Sequence, residues 1–166
     1  MRKCTAGFTL VELVVVLSIL AVLAAVAAPR FVGRQGFEAR GFFDASAAAI
    51  RYAQKTAIAK HRLVYVVVAA TTVAVCYDAA CAGPVTDPAT GGALQLSATR
   101  GIAGLSSPVA VAPATTLAFN GLGQPVDALS GTVLAGDVSL TFTPAESGDV
   151  TRTLVITAET GYVRGS

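Results

Sequence analysis

The chain has 166 residues, enough for one domain with an appendage, and 54% of these residues are hydrophobic whereas only 13% are charged. Arg2 and Lys3 account for the net charge of +2, because the other ten basic side chains balance ten acidic ones. A neutral body of this kind has no global attraction for nucleic acid or anionic lipid, which argues against proteins that bind such partners by charge alone.

A short basic segment, 1–7, is followed by an apolar segment, 8–29, in which Glu12 is the only charged residue. As a helix, the apolar part that ends at Ala28 spans about 32 Å, which matches the thickness of a bilayer core. Basic residues stay on the cytoplasmic side of such a span. We therefore predict a transmembrane helix over 8–29 that ends with a kink at Pro29.

After Pro29, residues 30–62 predict an amphipathic helix. Together the two segments predict one long helix of about 50 residues, or about 80 Å. The residues expected to pack on a domain are Phe43, Ala47, Ile50, Gln54 and Ala57. The residues expected on other faces are Arg40, Asp44, Arg51, Lys55 and Arg62.

Residues 63–166 are rich in β-branched side chains and turn signals, which indicates a small and mostly antiparallel β domain. Leu63–Ala70 and Val73–Tyr77 predict a hairpin, whereas Ala103–Ala114 predicts an irregular connection. Further strands are predicted at Leu94–Ala98, Thr116–Asn120, Val138–Thr143, Thr153–Ala158 and Tyr162–Arg164. The predicted fold class is therefore α+β, with the long N-terminal helix packed on this β domain.

Three cysteines are present, and Cys4 lies in the basic segment 1–7. Cys76 and Cys81 remain as a pair separated by four residues. A disulfide between them in an oxidising compartment would contribute about 2 kcal/mol in the chain-entropy model. The alternative is two ordinary buried thiols. A zinc site is not expected, because His61 is the only histidine in the chain.

Three explanations account for the apolar N-terminal segment. A cleavable signal peptide fits the basic start and the small residues Ala25-Val26-Ala27, but its core disfavours the charge of Glu12. A plain single-span anchor fits the length, yet it leaves a carboxylate in lipid, where such a group needs a partner. A filament-forming helix explains both the length and the carboxylate, and we favour it.

The spacing of Gly7, Phe8 and Glu12 shows how such a filament would work. Cleavage after Gly7 creates an α-amine on Phe8, one helical turn from Glu12. In a staggered array, the carboxylate of one subunit then reaches the amine of its neighbour. Only one axial offset avoids a buried unpaired charge, so this pair would set the assembly register.

The segment from Gly7 to Glu12, Gly-Phe-Thr-Leu-Val-Glu, resembles the class III leader of type IV pilins and type II secretion pseudopilins. Pro29 is the twenty-second residue counted from Phe8, where this family commonly has its kink proline. The resemblance implies a pilin-like fold, cleavage after Gly7 by prepilin peptidase and N-methylation of Phe8. Glu12 matches the position that sets the register in the family.

A second resemblance covers the rest of the chain and points to the GspH/FimT minor pilins and pseudopilins, with a cysteine-containing loop similar to that of MSHA-type members. The segments that carry it are Phe42–Ala59, Phe119–Pro125 and Thr160–Val163. It implies a low-abundance subunit that helps to initiate or cap a pilus or pseudopilus. The most tip-proximal pseudopilin typically lacks the glutamate that is present here as Glu12, which implies neighbours on both sides. Type II secretion, type IV pilus and MSHA-type systems remain open.

Arg164 is the one residue that suggests a different function, because some FimT-like members are thought to bind DNA through basic residues near the C-terminus. Tyr162 stands where those members have a second arginine, so contact with nucleic acid is expected to be weak at best. No catalytic group, cofactor site or metal site is predicted. The implied partners are a prepilin peptidase/methyltransferase, other major and minor pilins or pseudopilins, and inner-membrane lipid. The β domain is expected in the periplasm.

Overall fold

The computed structural model describes residues 9–27, 34–98, 102–106, 116–145 and 149–165. The chain divides into two compact units, Met1–Arg34 and Gln35–Ser166, which are described separately below. The predictions for Gly7, Phe8 and Pro29 fall outside the described residues.

The first unit contains helix α1, Leu10–Ala27, within the predicted segment 8–29. Sixteen of its 18 residues are Leu, Val, Ile or Ala, and Glu12 and Ser18 are the only polar ones. With 18 residues the helix is about 27 Å long. In the part of the chain that the structure describes, no helix has both the length and the apolar character needed to cross a membrane.

Helix α2, Arg34–Lys60, lies in the second unit except for its first residue, and its alanine-rich sequence favours helix. The predicted core stripe is confirmed: Phe43, Ala47, Ile50 and Ala57 are buried, and Gln54 is half-buried. The residues predicted for the other faces are exposed. The predicted continuity of one long helix falls on residues 28–33, outside the described ranges.

Helix α2 ends in a Schellman-type turn centred on His61. The N–H of Arg62 donates to the carbonyl of Ala57, and the N–H of His61 donates to that of Ile58. His61 has a φ of 47°, in the left-handed region that such turns require. His61 therefore lies directly after the last residue of the helix.

Within the described ranges, nine strands form two sheets, and every strand pair there is antiparallel. The first sheet has the order β3-β2-β1-β5-β6, and the second has the order β4-β7-β8-β9. The strands of the first sheet are β1 Val64–Val68, β2 Thr72–Cys76, β3 Gln95–Ser97, β5 Thr116–Phe119 and β6 Pro125–Asp127. Those of the second are β4 Ile102–Ser106, β7 Val138–Pro144, β8 Arg152–Ile156 and β9 Val163–Gly165.

The apolar stripe of α2 shares one hydrophobic core with side chains of both sheets. Phe142 of β7 lies between Phe42 and Phe43 of α2, with ring centroids 6.0 and 5.2 Å away in edge-to-face geometry. Ile50 is fully buried beside strand residues such as Val66. The α+β class, with a helix packed on antiparallel sheets, is therefore confirmed.

Two strands were not predicted. Strand β4 lies partly within Ala103–Ala114, for which an irregular connection was expected, and that expectation is wrong at its start. The sequence signal is weak there because Gly104 interrupts the strand and the pairing register shifts between Ile102 and Gly104. Strand β6 begins with Pro125, which lacks an N–H but is tolerated because β6 is an edge strand.

A side-chain amide links α2 to one turn from each sheet. The Nε2 atom of Gln54 donates to the carbonyl of Gly123, 3.0 Å away, and to that of Thr160, 2.8 Å away. The first carbonyl belongs to the β5–β6 turn and the second to the β8–β9 turn. The guanidinium of Arg51 donates to the carbonyl of Val163 at 3.1 and 3.3 Å. These contacts satisfy turn carbonyls and fix both turns against the helix.

The close approach of the two turns leaves no room for a side chain at Gly161. A Cβ atom there would lie 2.0 Å from the carbonyl oxygen of Gly123, and the φ of 66° also disfavours any other residue. Gly161→Ala should therefore destabilise the unit by more than about 3 kcal/mol, or prevent folding.

Gly131 provides the matched control, because its φ of 69° is similar but a Cβ atom there would meet nothing within 4 Å. Gly131→Ala should cost about 1 kcal/mol, from backbone conformation alone. Equal losses for the two variants in chemical denaturation would contradict the close packing of the turns.

Candidate functional site

The described part of the N-terminal motif begins with a capped helix. The hydroxyl of Thr9 accepts a hydrogen bond from the N–H of Glu12 at 3.2 Å, and the carbonyl of Thr9 accepts from the N–H of Leu13. Thr9 is therefore the N-cap, and Glu12 stands three residues later, as in a capping box. The role of Thr9 was not predicted, although the Thr-x-x-Glu spacing is a recognisable signal.

Helix α1 exposes apolar side chains on every side. All described side chains from Leu10 to Val26 are exposed, and the exposed fractions of its large apolar residues range from 44% for Val16 to 78% for Leu10. Twelve large apolar side chains are involved, which is far more than an isolated helix in water tolerates. This surface needs a cover that the described chain does not supply.

Glu12 is the only acidic residue of α1 and lies in its first turn, exposed. A carboxylate there interacts favourably with the positive end of the helix dipole. In the sequence, Glu12 lies four residues after Phe8, on which cleavage after Gly7 would create an α-amine. Gly7 and Phe8 themselves lie outside the described residues, so the cleavage site stays a prediction.

Cys76 and Cys81 form a disulfide, with their Cα atoms 5.1 Å apart. Cys76 is the last residue of β2 and is fully buried. Cys81 has a φ of 58°, so the loop turns sharply where the bond closes. The pairing suggested by the sequence is thus present in the structure.

The loop closed by this disulfide is also ordered by Asp78. Its carboxylate accepts hydrogen bonds from the N–H groups of Ala82 and Gly83 at 2.9 and 2.6 Å. These bonds, that of Ala82 above all, lower the pKa of Asp78 below its ordinary value of 3.8. Asp87 forms a similar turn with Ala89 and Thr90, which lowers its pKa as well.

Reduction of the disulfide should lower the free energy of unfolding by about 2 kcal/mol, the loss expected when a loop of this length is opened. The measurement is chemical denaturation of the full chain with and without reductant. The double variant Cys76→Ala/Cys81→Ala is the control, because it should not respond to reductant although Cys4 is still present. An unchanged denaturation midpoint on reduction of the native chain would contradict a stabilising role.

Arg164 lies exposed on edge strand β9, opposite Val155 of β8. The outward positions of β7 and β8 carry Ser139, Thr141, Thr143, Thr153 and Val155. Arg164 is therefore the only cation among the described outward positions of β7, β8 and β9. This arrangement offers little to a phosphate backbone, which usually meets several cations.

Among the described residues, no group of three or more His, Cys, Asp and Glu side chains lies close enough to hold a metal ion. The loop aspartates instead form Asx-type turns. Asp127, for example, accepts from the N–H groups of Leu129 and Ser130.

The chain is similar to known proteins in its N-terminal sequence and in its fold. Residues 2–28 match the family model described as a prokaryotic N-terminal methylation motif. No curated protein matches the chain. Two crystal forms of the type IV minor pilin FimU of Pseudomonas aeruginosa are similar in structure, with TM-scores of 0.54 and 0.52. Their sequences are 15% and 14% identical to this chain. The two matches cover 78% and 76% of this chain, and 88% and 91% of the respective FimU chains.

The chain thus has a prokaryotic N-terminal methylation motif and a fold similar to that of a type IV minor pilin. At 15% identity the likeness to FimU shows the fold alone. The prediction that the chain is not an enzyme agrees with a fold similar to that of a pilin, which is a structural subunit.

Proposed function

We propose that this chain is a minor pilin or pseudopilin that is cleaved after Gly7, N-methylated at Phe8 and built into a filament through its N-terminal helix. The observation that carries the proposal is the methylation motif over residues 2–28, which leads into a helix with exposed apolar side chains on every side. Before assembly, the segment 8–29 would hold the subunit in the inner membrane as a single pass, with the β domain in the periplasm.

Assembly would replace lipid contact by contact with like helices of other subunits. The exposed apolar side chains of α1 support this step, since packing against another apolar surface keeps them out of water. A minor subunit would pack into the filament through its N-terminal helix, in the same way as the major subunit. It would thereby bring its own, different β domain to a specific position in the filament. This would allow it to help initiate or cap a filament.

Glu12 would set the axial register by pairing with the α-amine of the neighbouring subunit. Its isolation supports this role, because α1 contains no other charged group with which the carboxylate can pair. In an apolar environment an unpaired carboxylate is costly, so a misaligned neighbour would be rejected. The presence of Glu12 favours a position with neighbours on both sides of this subunit.

The subgroup and the machine are proposed from the resemblance to GspH/FimT proteins. The segments that carry the resemblance meet at one place in the structure, since Gln54 contacts Gly123 and Thr160. They therefore act in folding, which supports a shared architecture but does not distinguish type II secretion from type IV or MSHA-type pili. A FimT-like role in DNA binding would rest on Arg164 alone.

Changing Glu12 to Ala should leave leader cleavage intact but reduce the amount of this chain in sheared filaments more than about tenfold, because loss of a buried charge partner costs about 3 kcal/mol or more. The measurement is immunoblotting of sheared filaments and membranes from cells of the native host. Ser18→Ala is the control, since Ser18 bonds only to a carbonyl of its own helix. Unaltered incorporation of the Glu12 variant would refute the register argument.

A further inference from the structure

The second half of α2 and the first hairpin form a region of positive charge. Between Ala45 and Tyr77 the chain has four basic residues, Arg51, Lys55, Lys60 and Arg62, and no acidic residue. All four side chains are exposed. Because the chain as a whole is nearly neutral, this concentration is a local feature and does not follow from composition.

Two of these cations line a cleft between α2 and the disulfide-closed loop. The cleft has a volume of about 410 Å³, and its walls include Lys55 and Lys60 together with Tyr52, Tyr77 and Val85. Val85 is buried and both tyrosines are half-buried against the core, so the floor is apolar while the rim is charged. A site of this kind fits a side chain with an apolar stem and a negative end.

The carboxylates nearest in sequence to the cleft are directed into their own turns. Asp78 accepts from the N–H groups of Ala82 and Gly83, and Asp87 accepts from Ala89 and Thr90. In the described parts of the chain, none of the four cations forms an ion pair with a carboxylate. The positive charge of the cleft is therefore not neutralised by a described carboxylate of the same chain.

Tyr77 holds two of the cations in place. Lys60 Nζ lies 5.2 Å and Arg62 Cζ 4.7 Å from the centroid of its ring, and Arg62 also donates to the Tyr77 carbonyl. Tyr77 follows Cys76 directly, so the disulfide and the Asp78 turn fix the wall that carries the ring. The charged rim is thus positioned before any partner arrives, which lowers the entropic cost of binding.

We propose that this cleft is a docking site for an acidic peptide segment of another protein subunit. Carboxylates of that segment pair with Lys55 and Lys60, and its apolar atoms rest on Tyr52 and Val85. Nucleic acid fits less well, because cations already lie over the Tyr77 ring, on which a base would otherwise stack. The site does not depend on leader processing, so it can be tested apart from the proposed function.

The test measures fluorescence anisotropy of a fluorescein-labelled deca-glutamate peptide with the full chain in neutral detergent at low salt. The native chain should bind this peptide, and Lys55→Gln/Lys60→Gln should weaken binding by about fivefold, the loss expected for two exposed ion pairs. The matched control is Arg40→Gln/Arg164→Gln, which removes the same charge from exposed residues away from the cleft. Its affinity should stay within about twofold of the native value, because it leaves both ion pairs intact.

Three results would overturn the proposal. The first is no measurable binding of deca-glutamate by the native chain. The second is an equal loss in both double variants, which would mean attraction to overall charge. The third is tighter binding of a labelled ten-residue oligothymidylate with the same dependence on Lys55 and Lys60, which would make the cleft a nucleic-acid site.

Discussion

Burial of one apolar stripe of α2 holds the C-terminal unit together. Ile50 is fully buried, and the phenylalanines at positions 42 and 43 pack edge-to-face on Phe142 of the second sheet. Neither sheet covers the stripe alone, since one core cluster contains residues of both. Gln54 adds directional bonds to this non-directional packing and so determines where the two turns lie.

The described side chains of helix α1 are exposed instead, and this contrast between the two helices supports the proposed function. The apolar face of α2 is matched by the sheets of its own chain, whereas the apolar side chains of α1 are exposed. In the proposed function, lipid covers this hydrophobic surface before assembly and other subunits cover it afterwards. A helix of this kind can be held in a membrane first and in a filament later without any change in its own fold.

The sequence predicted the parts of the fold that depend on strong periodic patterns. The stripe containing Ala47 and Ala57 follows helical spacing, and the β1–β2 hairpin consists of β-branched runs around a polar turn, so both were found. Strands β4 and β6 were missed because a glycine and a proline weaken their local signals, and only their pairing with neighbours makes them strands.

The candidate sites also differ in whether the sequence alone could predict them. Glu12 stood out in the sequence because a charge in an apolar helix is conspicuous, and the structure adds that its N–H is capped by Thr9. The basic cleft could not be predicted, because it depends on Lys55 and Tyr77, which come from different elements, and on the inward turn of Asp78. Local sequence patterns do not show which residues from different elements come together in the fold.

The proposed function depends on processing of the chain as a prepilin, which an intact mass would reveal. The chain would be purified from membranes after co-expression with a prepilin peptidase. We expect the mass of a chain that begins at Phe8 and carries one added methyl group. A mass that begins at Met1 or at Pro29 would identify an ordinary anchor or a secreted protein and would contradict the account.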